Sequence, residues 1–194
     1  MKIVSAEFVI GVVKMDQLPE DNIPQVAFAG RSNVGKSSLL NALLNRKNLV
    51  KVSGTPGKTR EINFFLINKL FHLVDLPGIG YAKISKAYRK AISKTINNYL
   101  EHSKQLNGIV YLVDMKTGGT QLDVDTFSEL IKSGLPVLMV CTKMDKLNQK
   151  ERKKQLDHIT KKFNLELPPI CVSAFKKTNL DQVWGQLLSA ITPG

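Results

Sequence analysis

The chain has 194 residues, 43% of them hydrophobic, and carries 28 Lys and Arg against 16 Asp and Glu, a formal net charge of +12. This length and composition are typical of one globular domain with a sizeable core, spanning residues 1–194. The absence of a long apolar run excludes a membrane span or signal segment, so we predict a cytoplasmic monomer with no membrane partner. The positive charge favours a polyanionic partner such as a large RNA, and a solvated basic surface is the alternative.

Strands and helices alternate along most of the sequence, which predicts an α/β fold with a mostly parallel sheet covered on both faces. A hairpin over residues 61–74 would place one antiparallel strand at the edge of the sheet. We predict an extended edge segment within residues 1–13, strands at 25–29, 61–67, 70–74, 109–113, 136–141 and 169–172, and helices at 36–46, 85–101, 123–132, 149–163 and 179–191.

A glycine-rich stretch between the first buried strand and the first helix fits the phosphate-binding pattern G-x-x-x-x-G-K-[ST]. Its backbone N–H groups and the start of the helix can hold phosphate oxygens. The alternative is an ordinary glycine turn. In this pattern Lys36 supplies charge at the outer phosphates, and Ser37 offers a hydroxyl to Mg²⁺. The predicted phosphate loop consists of Gly30, Arg31, Ser32, Asn33, Val34, Gly35, Lys36 and Ser37.

Two further segments are predicted to sense the γ-phosphate. Asp75-Leu76-Pro77-Gly78 follows a strand, so Asp75 can hold Mg²⁺ through water and the Gly78 N–H can meet the phosphate. Thr59, in the loop before the hairpin, can add a second hydroxyl to Mg²⁺ when the γ-phosphate is present, with Thr55 as the competing candidate. We include the neighbours of Thr59 in the predicted nucleotide site: Gly57, Lys58, Arg60 and Glu61.

The segment Thr142-Lys143-Met144-Asp145 predicts recognition of guanine. The Asp145 carboxylate accepts two hydrogen bonds, and guanine presents two donors on one edge where adenine does not. The stem of Lys143 can lie against the base. A backbone N–H of Ser173-Ala174 can meet the guanine carbonyl oxygen, and we include the next residue, Phe175, in the predicted site.

At this point the sequence resembles the EngB (YihA/YsxC) GTPases, in the translation-factor-related branch of P-loop GTPases. The resemblance covers nearly the whole chain and includes GRSNVGKSSLLNALLNRKNL, TPGKTREINFF, DLPGIGYAK, TKMD and the Val-Trp-Gly of the last helix. It implies a mixed six-stranded sheet, binding of GTP or GDP with Mg²⁺, and a role in assembly of the large ribosomal subunit through rRNA and ribosomal proteins. It also implies a link to cell division and septation. Ile79 and the Lys116-Thr117 pair depart from the family pattern.

Catalysis is predicted to depend on Lys36 and Thr59. Ile79 occupies the position where many GTPases carry a water-orienting Gln, so we expect slow hydrolysis without a partner. Asn33 can offer its amide oxygen to K⁺, or it can only brace the loop.

Two other functions remain open: an ATP-dependent phosphotransferase, and an RNA-binding module with a vestigial nucleotide site. The guanine segment argues against the first, and Lys36, Ser37 and Asp75 argue against the second.

Overall fold

The computed structural model describes residues 1–50, 61–79 and 86–191. In this part of the chain, strands and helices alternate as predicted from Phe71 onward. The strands are β1 (Ala6–Val12), β2 (Gln25–Gly30), β3 (Ile62–Ile67), β4 (Phe71–Asp75), β5 (Leu106–Asp114), β6 (Val137–Thr142) and β7 (Ile170–Cys171). The α-helices are α1 (Lys36–Leu43), α2 (Lys86–His102), α3 (Gln121–Lys132), α4 (Gln149–Lys162) and α5 (Leu180–Ile191).

The strands form one sheet in the order β1-β3-β4-β2-β5-β6-β7. The sheet has seven strands rather than the predicted six, because the predicted edge segment within residues 1–13 pairs as a full strand, β1, at the edge. The predicted edge position of the antiparallel hairpin strand is also wrong. Residues 6–12 form an antiparallel ladder along the outer side of β3, from the Ala6–Ile67 pair to the Val12–Ile62 pair, so β3 lies second from the edge. The remaining pairs, from β4 to β7, are parallel as expected.

Helices cover both faces of the sheet, which confirms the predicted α/β class. One apolar cluster joins the sheet to α2, α3 and α4 through residues such as Ile96, Phe127 and Ile159. A second cluster on the other face includes Leu40 of α1 and Trp184 of α5. All six residues of β2 are buried, as a central strand between two helix layers requires. No helix in the described ranges is long and apolar enough to cross a bilayer.

Two helix boundaries differ from those that periodicity predicts, and a capping contact explains one of them. Helix α3 begins at Gln121, two residues before the predicted start, because the Asp123 N–H donates to the Thr120 hydroxyl and the Thr120 N–H donates to the Asp123 carboxylate. Helix α1 ends at Leu43 rather than at residue 46, and Asn45 adopts a left-handed conformation with φ of 49°.

The parallel arrangement brings the carboxyl ends of five strands, β2 and β4 to β7, to one edge of the sheet. Phe28 pairs with Asp75, and Asp114 pairs with Thr142. Ligands of open α/β sheets bind at this edge, in the crevice outside the strand ends. The fold therefore places the predicted phosphate and base segments next to each other.

Candidate nucleotide site

The loop between β2 and α1 has the conformation that its glycines permit. A Cβ atom at Gly30 would lie 2.9 Å from the carbonyl oxygen of Leu112, so a side chain there would clash with β5. Gly35 has φ of 105° and Asn33 has φ of 64°, both in the left-handed region. Helix α1 begins directly after Gly35, at Lys36, and presents its first N–H groups at this loop.

Hydrogen bonds from the end of β6 hold the phosphate loop in place. The Thr142 hydroxyl donates to the Val34 carbonyl oxygen over 2.5 Å. Lys143 Nζ donates to the Asn33 carbonyl oxygen over 2.7 Å and to Asp114 Oδ2 over 2.8 Å. Sequence reasoning missed Asp114 as a functional residue, although it ends a buried parallel strand, the same signal that identified Asp75. The predicted base segment and phosphate loop therefore form one network.

Lys36 and Asp75 form an ion pair at the centre of the site. Their side chains are only 10% and 9% exposed, so both charges have lost most of their hydration. A nucleotide phosphate is a competing partner for Lys36, and hydrated Mg²⁺ is one for Asp75. The Ser37 hydroxyl follows in the sequence, and hydroxyl, carboxylate and phosphate oxygens are the donors that Mg²⁺ prefers. The residues present therefore fit a magnesium–phosphate complex.

The segment after Asp75 packs directly against the phosphate loop. The Ile79 N–H donates to the Gly30 carbonyl oxygen, and the Ser32 N–H donates to the Ile79 carbonyl oxygen, both over 3.1 Å. A Cβ atom at Gly78 would lie 2.8 Å from Ser32 Oγ, so this approach requires a glycine. Leu76 and Pro77, between Asp75 and Gly78, are buried. Movement of Gly78 is consequently coupled to the phosphate loop.

The side chain of Arg31, a residue of the predicted phosphate loop, contacts the start of helix α3. Its Nη1 atom lies 3.4 Å from the Thr120 hydroxyl oxygen and 3.7 Å from Asp123 Oδ2. Asp123 is 3% exposed and also accepts a hydrogen bond from the Tyr111 hydroxyl. The Thr-x-x-Asp pattern signals a helix start but gives no sign of a contact with the phosphate loop, so the sequence could not identify this link.

Asp145, the predicted guanine-binding residue, is joined to the loop after β7. Its Oδ1 atom accepts a hydrogen bond of 2.7 Å from the Ser173 hydroxyl. This bond, with smaller contributions from Lys146 and Lys176, holds the pKa of Asp145 below its ordinary value, although partial burial opposes the shift. The carboxylate is thus ionised at neutral pH and available as an acceptor. The Met144 N–H donates to the Val172 carbonyl oxygen over 3.1 Å, which ties the two loops together.

The loop after β7 presents the remaining predicted base contacts. The Ser173 N–H donates to the Thr178 carbonyl oxygen. Among the described residues, no protein group accepts from the N–H of Ala174, which leaves it for a carbonyl oxygen of a base. Phe175 is 87% exposed and stands beside this loop.

The predicted residues before β3 are only partly described. Gly57, Lys58, Thr59 and Arg60, with the alternative Thr55, lie outside the described residues. Glu61 is exposed at the start of β3, and its carboxylate lies 2.7 Å from the position that a Cβ atom at Gly11 would occupy. It therefore lies against β1 in this structure.

Comparison with known proteins agrees with this geometry. Residues 25–143 match the model of a family described as 50S ribosome-binding GTPase. The probable GTP-binding protein EngB of Caldanaerobacter subterraneus subsp. tengcongensis is 45% identical over 184 residues, which cover 94% of this chain and 95% of the relative. A crystal structure of a probable GTP-binding protein EngB superposes with a TM-score of 0.72 at 25% identity, covering 86% of this chain and 98% of that chain.

A second solved structure is Era in complex with MgGDPNP and nucleotides 1506–1542 of 16S ribosomal RNA. It superposes with a TM-score of 0.69 at 29% identity, covering 89% of this chain and 58% of that chain. The match to the family model includes the phosphate loop, Asp75 and Lys143 and ends before Asp145, while the alignment with the EngB relative covers 94% of the chain. The chain therefore belongs to the EngB family of GTP-binding proteins, within the 50S ribosome-binding GTPases.

Proposed function

We propose that this protein is a cytoplasmic, single-domain GTPase switch that binds the large ribosomal subunit and assists its assembly, with a link to cell division and septation. Its GTP form would bind the assembling particle, and hydrolysis to GDP would release it. We further propose that hydrolysis is slow until the ribosomal partner accelerates it, because a bound state has to outlast an assembly step.

One observation carries the switch part of this proposal: the backbone bonds between Ile79 and the phosphate loop at Gly30 and Ser32. A γ-phosphate held by that loop would attract the Gly78 N–H, which directly precedes Ile79. These bonds would then rearrange, and the change would be passed on to the part of the chain that follows Ile79. The presence of the γ-phosphate is thereby converted into a change of protein surface.

The described residues have distinct roles in this scheme. Lys36 would leave Asp75 to bind the outer phosphates, and Asp75 would hold a water of the Mg²⁺ shell beside the Ser37 hydroxyl. Bound Mg²⁺ supplies charge stabilisation for the phosphoryl transfer. Thr59 is proposed as the second hydroxyl ligand. Asp145 would accept the two donors of guanine, which favours GTP over ATP.

The ribosomal partner is proposed on two grounds. The matching family is described as 50S ribosome-binding, and the related protein Era has been captured with a segment of 16S ribosomal RNA. The net charge of +12 suits binding to a nucleic acid, whose phosphodiester backbone is negatively charged. No described contact favours an ATP-dependent phosphotransferase. Adenine lacks the pair of N–H donors that guanine presents on one edge, so the base of ATP would leave the Asp145 carboxylate without those two hydrogen bonds.

The test is co-sedimentation of the protein with purified large ribosomal subunits in the presence of a non-hydrolysable GTP analogue, GDP or the matching ATP analogue. We expect most binding with the GTP analogue, less with GDP, and no effect of the ATP analogue. The Lys36→Ala variant serves as the control and should lose the nucleotide effect. Binding that is absent, or equal in all nucleotide states, would contradict the proposal.

A further inference from the structure

Much of the positive charge of this protein lies in one segment near the base-binding end of the site. Residues 143–177 carry ten lysines and arginines against four aspartates and glutamates. Less than a fifth of the chain therefore holds half of its positive surplus. This segment contains the loop with Asp145, helix α4 and the loop after β7.

Several of these cations already have protein partners. Arg152 Nε donates to the carbonyl oxygens of Met144 and Leu147 at 2.8 and 2.9 Å. Lys162 Nζ donates to the Gly119 carbonyl oxygen at 2.8 Å. These hydrogen bonds hold helix α4 on the domain and fix the positions of the two side chains.

Four lysines of α4 remain, and we name them the α4 lysine row: Lys150, Lys153, Lys154 and Lys161. All four are exposed, and none has an ion-pair or hydrogen-bond partner for its ammonium group among residues 1–50, 61–79 and 86–191. At about 100° per residue they share one side of the helix, opposite the fully buried Ile159. The row extends along about 16 Å of helix. Three of its lysines line a surface pocket with Asn148, Gln149 and Asp157.

The chemistry of this face selects among possible partners. A membrane-binding helix inserts an apolar face into lipid, but the apolar face of α4 is already buried against the sheet through Ile159. The centres of protein–protein interfaces are enriched in aromatic residues and arginine and depleted in lysine, and the exposed side of α4 carries neither an aromatic residue nor an arginine. Lys150, Lys153 and Lys154 are clustered near the start of α4, Lys161 lies about two turns further on, and the exposed Asp157 lies between them on the same side. Four ammonium groups against this one carboxylate suit a sequence-independent contact with phosphates of a nucleic acid backbone.

We propose that the α4 lysine row is the surface with which this protein holds the phosphate backbone of RNA. This inference rests on the proposed ribosomal function and assigns the surface that carries it. Because α4 begins four residues after Asp145, RNA on the row would lie next to the base-binding end of the nucleotide site.

The test compares two variants with the same change in charge. The row variant replaces Lys150, Lys153, Lys154 and Lys161 by Gln, which preserves helix propensity. The control variant replaces four exposed lysines in the amino-terminal part of the chain by Gln: Lys2, Lys14, Lys47 and Lys69. Each protein is titrated with an RNA duplex of about 20 base pairs, with large ribosomal subunits, with anionic lipid vesicles and with polyglutamate, over a range of salt concentrations.

We expect the row variant to bind RNA at least about tenfold more weakly near 100 mM salt. Its slope of log K against log salt should fall in magnitude by about three to four, since each of the four lysines contributes about 0.9 per phosphate contact on a DNA duplex. The control variant should lose clearly less, and both should bind GTP like the wild type. Three outcomes would overturn the inference. Both variants could lose RNA affinity equally, the row variant could bind RNA like the wild type, or the row variant could show a loss only with vesicles or polyglutamate. Wild-type protein that ignores ribosomal subunits, yet binds the duplex through the row, would instead reject the proposed function.

Discussion

The Ser173 hydroxyl donates a hydrogen bond of 2.7 Å to Oδ1 of Asp145. The bond joins the loop after β7 to the loop after β6, and the two strands pair in parallel. It has two consequences for base recognition. It keeps the Asp145 carboxylate ionised, because the pKa is held low, and it fixes the orientation of that carboxylate, whose Oδ2 lies 3.9 Å from Lys146 Nζ.

The first prediction concerns this pair. Asp145→Asn should weaken GTP binding by about 100-fold, because two hydrogen bonds to a charged acceptor are lost. The variant should gain affinity for xanthosine triphosphate, whose ring presents an acceptor in place of the amino group of guanine. Ser173→Ala should show a smaller loss, about tenfold, with unchanged base preference. Isothermal titration with both nucleotides measures these effects, and wild-type affinity of Asp145→Asn for GTP would refute the guanine assignment.

The second prediction concerns the ion pair of Lys36 and Asp75. Lys36→Ala should abolish measurable GTP binding. It should also lower the free energy of unfolding by about 3 kcal/mol, because the Asp75 charge is left buried without a partner. The exposed Lys47→Ala is the matched control and should change neither quantity. Nucleotide titration and urea unfolding provide the two readouts, and GTP affinity within about threefold of the wild type would show that Lys36 does not bind phosphate.

Particular residues show how far the sequence predicts this structure. The phosphate loop, Asp75, Asp145 and Ser173 each follow a buried apolar run, and such runs in alternation with helices predict a parallel sheet whose carboxyl ends meet. Local patterns therefore suffice to place these residues on one edge. The pairing of residues 6–12 with β3 could not be predicted in this way, because an edge ladder depends on contacts between segments far apart in the sequence. The contact of Arg31 with α3 was missed for the same reason.

The third prediction concerns Arg31 and Asp123, which we expect to position the phosphate loop rather than to contact nucleotide. Arg31→Ala and Asp123→Asn should each reduce GTP affinity several-fold, and the double variant should lose little more than either single variant. A double-variant cycle on the GTP dissociation constant tests this, with the surface variant Arg46→Ala as the control. Fully additive losses would mean that the two residues act independently.

The fourth prediction concerns Asn33, whose side chain is exposed on the phosphate loop. If its amide oxygen binds K⁺ beside the phosphates, hydrolysis should be at least several-fold faster in KCl than in NaCl at equal ionic strength. Asn33→Ala should remove this difference, whereas a residue that only braces the loop would leave the two salts equivalent. Single-turnover hydrolysis in both salts distinguishes the two roles, and equal wild-type rates would exclude potassium assistance.

The last prediction concerns Ile79 and the rate of hydrolysis. Its backbone is bonded to Gly30 and Ser32, and its side chain packs against the apolar cluster beneath α2 and α3. The side chain has no hydrogen-bonding group, so it cannot orient water, and charge stabilisation by Lys36 and Mg²⁺ has to suffice. We expect the free protein to hydrolyse GTP at a rate on the order of 10⁻⁴ to 10⁻² s⁻¹, and Ile79→Ala to stay within about threefold of it.

Single-turnover phosphate release, with Lys36→Ala as the background, provides the measurement. A rate near 1 s⁻¹ or above without a partner, which is on the order of partner-stimulated rates, would reject the slow switch, and a large loss in Ile79→Ala would show that this side chain takes part in positioning the reacting groups.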